Sequence, residues 1–253
     1  MNYLLENSHT IPFQVFTNEQ LVKLQNEIFE YLSDNSSEYK DDNFIHIPNL
    51  GKTFPNILDV ILSDKVFEFI SQLFNEPVLV QNNLFIKPPK NGIGIPWHID
   101  FPYWQKRNDK IQFITLWTNV FNAKENGNIE YITKSHTLSD TYLDPLLNGK
   151  SIEEIFRSEF FNNNQNYLSV KLDEGIGQYH HPLIIHRSTT NNSDKYAISL
   201  GIVFSDRQII ENILNLGQGF PFKIEKGTTI NDFINIKNYR QQGLGKMGAD
   251  VQN

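Results

Sequence analysis

The sequence predicts an α+β chain in which helices come first and strands follow, the strands packing as a β-sandwich or barrel. Two changes of pattern and one bound support this. Apolar residues recur at helical spacing between Thr17 and Phe74. From Pro77 to Phe204 they recur at period two, in short runs bounded by turn residues. At 253 residues the chain is long enough to bury a large core, and it stays within the length one β-rich domain spans. A single domain over 1–253 is therefore expected, with a helical part at 1–76, a β core at 77–204 and a loop-rich tail at 205–253.

The elements are justified in order. Thr17-Asn18-Glu19-Gln20 reads as a capping box, Thr17 at N-cap and Gln20 at N3, opening a helix of about four turns. Leu21, Leu24, Ile28, Tyr31 and Leu32 share its inner face, and Glu19, Lys23, Asn26 and Glu30 the other. A second helix is expected from Ser63, with Val66, Phe67, Ile70, Leu73 and Phe74 apolar, ending at Asn75-Glu76 before Pro77. Strands are then expected at 78–87, 111–120, 128–132, 167–172, 178–185 and 196–204. Along 111–120, Phe113, Thr115 and Trp117 fall on one face. Ser151 and Glu154 form another capping box, so a helical insert interrupts the strands. Beyond Asp206 the glycines at 217, 219, 243, 245 and 248 suggest a tail that serves as a lid or packing arm.

Composition removes several function classes. A formal net charge of -7 argues against a general nucleic-acid or anionic-membrane binder, which needs a basic face. The absence of cysteine excludes disulfides, thiolate catalysis and Cys-ligated metal sites. Glu6 and His9 stand where a secretory signal needs a basic start and an apolar run, and no stretch approaches about 18 apolar residues. A cytoplasmic protein is the expectation, working without nucleic acid or membrane.

Chemistry concentrates at Pro96-Trp97-His98-Ile99-Asp100. Side chains two apart on an extended strand leave the same face, so His98 and Asp100 can grip one ion together. A second histidine completes a two-histidine, one-carboxylate facial set, which leaves three cis positions of an octahedral metal for other ligands. His186 is the candidate, delivered by the apolar run Leu183-Ile184-Ile185 to the end of a strand just before a polar turn. On spacing alone, the alternative of a core histidine and a turn aspartate stays open.

Further landmarks carry a family resemblance. Lys87-Pro88-Pro89 precedes Trp97-His98-Ile99-Asp100, Trp104 stands six residues past the histidine, and Trp117 lies on the next strand. Asn126-Gly127-Asn128-Ile129 leads to Ser135-His136, and His181-Pro182-Leu183-Ile184-Ile185-His186 continues to Ser188 and Asn191. Over about Thr17 to Phe204 the chain resembles the phytanoyl-CoA dioxygenase family of iron(II)- and 2-oxoglutarate-dependent oxygenases. That resemblance implies a double-stranded β-helix, or jelly-roll, core behind N-terminal helices. It also implies Fe(II) on His98, Asp100 and His186, with 2-oxoglutarate and O2 as co-substrates.

The far carboxylate of 2-oxoglutarate needs a cation. The family usually supplies an arginine about ten residues past the second histidine, where this sequence best offers Lys195. A lysine keeps the charge but loses the two-toothed grip of guanidinium, and Ser188 is a candidate to complete the site. Lys87 is similar to a family lysine that also contacts 2-oxoglutarate in some members, and Arg187 ranks lower than Lys195 because it adjoins His186 and so points to the opposite face. Trp117 is a candidate wall of the co-substrate site, and Gln81 and Trp104 are candidates for substrate contact. His136, His180 and His181 read as structural histidines near the site.

The implied reaction is hydroxylation of an unactivated C–H bond of a small-molecule metabolite, with release of succinate and CO2. Halogenating relatives carry a small residue in place of the ligand carboxylate, so Asp100 favours hydroxylation, although desaturation, epoxidation or ring formation would use the same ligands. Two rivals remain: a cupin-type metalloenzyme that does not use 2-oxoglutarate, and a non-catalytic metal- or ligand-binding domain.

Overall fold

The computed structural model describes residues 1–48, 50, 53–61, 63–100, 111–157, 160–161 and 165–214. Its strands are β1 (Phe13–Gln14), β2 (Ile45–Pro48), β3 (Pro77–Lys87), β4 (Ile95–His98), β5 (Phe113–Phe121), β6 (Ile129–Ile132), β7 (Tyr167–Val170), β8 (Ile176–His180), β9 (Ile185–Ser188) and β10 (Ala197–Asp206). Its α-helices are α1 (Asn2–Asn7), α2 (Asn18–Asp34), α3 (Leu58–Ile61), α4 (Asp64–Ile70), α5 (Ser139–Leu147), α6 (Ile152–Ile155) and α7 (Arg207–Leu214).

The strands form a six-stranded sheet in the order β1-β8-β5-β10-β3-β2 and a four-stranded sheet in the order β4-β9-β6-β7. The pairings are antiparallel throughout. The sheets pack face to face: Phe85, Trp117 and Ile176 of the larger sheet share one apolar cluster with Ile95, Ile129, Tyr131, Leu168 and Val170 of the smaller.

Helices seal the outer face of the larger sheet. The Thr17 capping box is complete, with both Gln20 N–H to Thr17 Oγ1 and Thr17 N–H to Gln20 Oε1 formed, and Leu21, Leu24, Ile28 and Leu32 of α2 are buried. These side chains join Leu84 and Ile86 of β3, Leu116 of β5 and Leu200 and Ile202 of β10 in the main core. Each such aliphatic side chain contributes about 1.5–3 kcal/mol by leaving water. On the smaller sheet, Trp97, Ile132 and Ile185 face outward against Tyr142 and Leu143 of α5 and Ile152 of α6. The Ser151–Glu154 box opens α6 as its sequence requires.

The structure corrects four expectations. The helix begun at Ser63 ends at Ile70, and Leu73 and Phe74 lie in the turns that follow. The run expected as one strand at 178–185 is two, β8 in the larger sheet and β9 in the smaller. The chain turns between them because Pro182 has no N–H to continue a ladder, while Leu183 N–H bonds His181 Nδ1 and Ile184 N–H bonds the His181 carbonyl. Asp100 lies just past the end of β4 rather than on it, its N–H bonded to the Pro182 carbonyl at 3.2 Å. The tail begins with α7, whose Ile210 packs on Val78, Phe113 and Val203; the rest of the expected lid or arm, 215–253, lies outside the described residues. Among the described residues no helix is long and apolar enough to cross a membrane.

Candidate active site

Strand pairing brings the two distant histidines together. His98 at the end of β4 stands directly opposite His186 on β9, and their ring centroids are 4.1 Å apart. Asp100 Oδ1 lies 3.9 Å from His98 Nε2 and 3.4 Å from His186 Nε2. One ligand atom from each of the three residues falls within 4.8 Å of the others.

Their remaining polar atoms are already committed. His98 Nδ1 bonds the Pro96 carbonyl at 2.8 Å and His186 Nδ1 the Ile184 carbonyl at 3.0 Å. A carbonyl can only accept, so each Nδ1 carries the proton and each Nε2 lone pair is free for a metal. Asp100 Oδ2 accepts from Thr115 Oγ1 at 2.6 Å and from His180 Nε2 at 3.0 Å, which leaves Oδ1 for the ion. Desolvation takes the His98 imidazole down to about 4, keeping it neutral at physiological pH. Burial works to raise the Asp100 carboxyl, but His186 and His180 outweigh it and hold it well below the usual carboxylate range. Two neutral imidazoles and one carboxylate oxygen suit a divalent first-row metal with open positions.

Two residues along β9 from His186, on the same face, is Ser188. Lys87 reaches it from the end of β3, donating from Nζ to Ser188 Oγ at 2.7 Å and to the Thr189 carbonyl. Lys87 is only 4% exposed, and burial pulls its ammonium down to about 7. Among the described residues no carboxylate pairs with it. Room for its side chain comes from Gly127, whose φ is +118° and where a Cβ would meet Lys87 Cδ at 3.2 Å and Nζ at 3.3 Å. Ser188 Oγ also accepts from Ile95 N–H, so its own proton remains available to an acceptor.

Other expected residues fall as follows. Lys195, the anchor expected from spacing, is exposed, whereas Lys87 is buried. Arg187 points away from the cluster, pairing with Glu130 at 2.6 Å and lying over Trp97 at 4.7 Å. Trp117 lies on the inner face beside Phe85, ring centroids 5.2 Å apart, and its indole N–H has no partner among the described residues. Gln81 is half-buried on the inner face and accepts from Asn83 Nδ2 at 3.3 Å. Trp104 lies outside the described residues. His136 meets Ser8 and His181 caps the turn after β8, both as structural groups. Sequence reading missed the roles of Thr115 and His180. Thr115 was recoverable from its period-two partnership with Trp117; His180 became legible only once the strand break at 180 was known.

Two imidazoles and one carboxylate brought together by the two sheets form a set that could hold one metal ion in the two-histidine, one-carboxylate manner. The phytanoyl-CoA dioxygenase (PhyH) family model matches residues 9–199, and the chain belongs to that family. No curated protein matches its sequence significantly. Among solved structures, the non-heme alpha ketoglutarate dependent carbocyclase SnoK from nogalamycin biosynthesis superposes with a TM-score of 0.65 at 14% identity, over 89% of this chain and 92% of its own. The non-heme monooxygenase ThoJ, in its apo form, does so with 0.65 at 17%, over 98% of each chain. EctD from S. alaskensis, solved with 2-oxoglutarate and 5-hydroxyectoine, gives 0.62 at 14%, over 82% of this chain and 75% of its own. At such identities the likeness is one of fold. Family and triad together make the protein a non-heme oxygenase dependent on iron(II) and 2-oxoglutarate.

Proposed function

We propose that this chain acts as a single catalytic domain that hydroxylates an unactivated C–H bond of a small-molecule metabolite. The observation that carries the reading is the convergence of His98, Asp100 and His186 beside a buried lysine with no carboxylate partner among the described residues. When bound, iron(II) supplies the oxidising chemistry: O2, 2-oxoglutarate and R–H become succinate, CO2 and R–OH.

The residues have distinct tasks. His98, Asp100 and His186 would hold the metal through one atom each, a three-ligand set that would leave its other positions to the co-substrates. Lys87 and Ser188 receive the far carboxylate of 2-oxoglutarate, the lysine by charge and the hydroxyl by its free proton. Ser188 is about 7 Å along the strand from His186, a span suited to a five-carbon diacid with its other end at the metal. Lys87 thus takes the task that spacing assigns to Lys195. Gln81, Asn83 and Phe85 on the inner face of β3, with Trp117 beside them, are the walls a substrate meets. The double-stranded β-helix reading is supported by the way the chain alternates sheets, β3 in the larger, β4 in the smaller, β5 in the larger, β6 and β7 in the smaller, then β8, β9 and β10 in alternation.

The test is anaerobic reconstitution with Fe(II) and 2-oxoglutarate, followed by exposure to oxygen and assay of succinate across a panel of neutral and charged metabolites. Iron-dependent succinate that a substrate stimulates, together with a product heavier by one oxygen atom, is expected. Succinate formation that persists in His98→Ala would contradict the assignment of the ligands.

A further inference from the structure

The two oxygens of Asp100 have different surroundings. Oδ1 faces the His98 and His186 imidazoles, whereas Oδ2 is held by Thr115 and by His180. His180 has no task in the reaction as described so far. It is 0% exposed and comes from β8 of the larger sheet, opposite the strands that carry the two histidine ligands.

Its hydrogen bonds admit one arrangement of protons. A carboxylate oxygen only accepts, so His180 Nε2 carries the proton and donates it to Oδ2 at 3.0 Å. His180 Nδ1 is then an acceptor, and the Tyr131 hydroxyl 3.2 Å away is its donor. Burial raises the Tyr131 phenol, which therefore keeps its proton. Tyr131 is itself held, with His9 stacked on its ring at 5.6 Å and 6°. A buried chain thus runs in one direction, from Tyr131 through His180 to the metal carboxylate.

We propose that His180, fixed in one tautomer by Tyr131, is a positioning residue that pins Asp100 Oδ2 and so presents Oδ1 alone to the metal. The inference rests on the metal reading above. Its consequence is a carboxylate that binds through one oxygen in one direction, leaving free the position that two-toothed binding would occupy. Because Nε2 is engaged by Oδ2, His180 is not itself a ligand.

The experiment uses Co(II) as probe, titrated into the full chain by calorimetry with its visible spectrum recorded. Wild type is compared with His180→Phe, His180→Gln, Tyr131→Phe and His98→Ala, and metal-free unfolding midpoints are measured alongside. His180→Phe is expected to weaken Co(II) binding about 10–100-fold and alter the spectrum. His180→Gln, which can place an amide N–H near the same oxygen, should recover most of the loss, and Tyr131→Phe should cost only a few-fold. Wild-type affinity and spectrum in His180→Phe would overturn the proposal. So would equal weakening in the Phe and Gln variants that tracks lost metal-free stability, since that marks a packing role. A wild type that binds no Co(II), or binding that survives His98→Ala, would instead sink the metal reading and this inference with it.

Discussion

The two faces of the larger sheet have the same backbone and opposite chemistry. On β3, Leu84 and Ile86 point outward and are sealed under the helices, while Gln81, Asn83, Phe85 and Lys87 point inward. The same division continues on β5, where Leu116 faces the helices and Thr115 and Trp117 face the smaller sheet. The outer face needs only apolar bulk. The inner face retains Lys87, Thr115 and His180, buried polar groups whose cost is offset by hydrogen bonds to Ser188, Asp100 and Tyr131. Stability and chemistry are thereby assigned to alternate residues of the same strands.

Crossing the two faces by mutation should separate the two properties. The largest effect is expected from Asp100→Ala, which should lower iron-dependent succinate formation at least about a hundredfold. Leu84→Ala on the outer face should instead lower unfolding free energy by about 2–5 kcal/mol, seen by denaturant titration, with activity per folded molecule retained.

Lys87→Met comes next. It should raise the 2-oxoglutarate requirement tenfold or more without lowering the denaturation midpoint, because it removes a buried charge. Lys195→Met should change that requirement by less than about twofold. If Lys195→Met has the larger effect, the anchor is where spacing put it.

A pH profile sharpens the same point. Lys87 has to be charged to hold a carboxylate, and in the free protein its ammonium is lowered by burial to about 7. Affinity for 2-oxoglutarate should therefore fall as pH rises through about 7, and this dependence should vanish in Lys87→Met. The effect on stability has the opposite sign. Between about 7 and the ordinary value of 10.5 the unfolded chain holds the extra proton, so the Lys87 contribution makes stability rise with pH across that window. A smaller effect than that of Asp100→Ala is expected from Thr115→Val, which removes one of two hydrogen bonds to Asp100 Oδ2 and should weaken metal binding about tenfold or less by calorimetry.

Much of this division is written in the sequence. The Thr17 and Ser151 capping boxes and the strand ending at Lys87 follow from local pattern and formed as read, and His98, Asp100 and His186, which the family resemblance singled out together, converge. What pattern did not give depended on contacts between distant residues. Leu183-Ile184-Ile185 has no alternation, so nothing local marked the crossing from β8 to β9. With that crossing hidden, His180 read only as a structural histidine near the site, although it meets Asp100 across eighty positions of sequence. The short strand β2 was equally invisible, because four residues carry too little periodicity. Lys195 attracted the anchor role by its spacing, whereas burial, which spacing does not encode, favours Lys87.

Calorimetric titration of 2-oxoglutarate into the protein without oxygen, with and without Fe(II), tests the central claim most directly. The account predicts one equivalent bound tightly only when iron is present, with affinity lost on His98→Ala and weakened at least tenfold by Lys87→Met. Binding that is indifferent to iron, or no binding at all with iron in place, would contradict it.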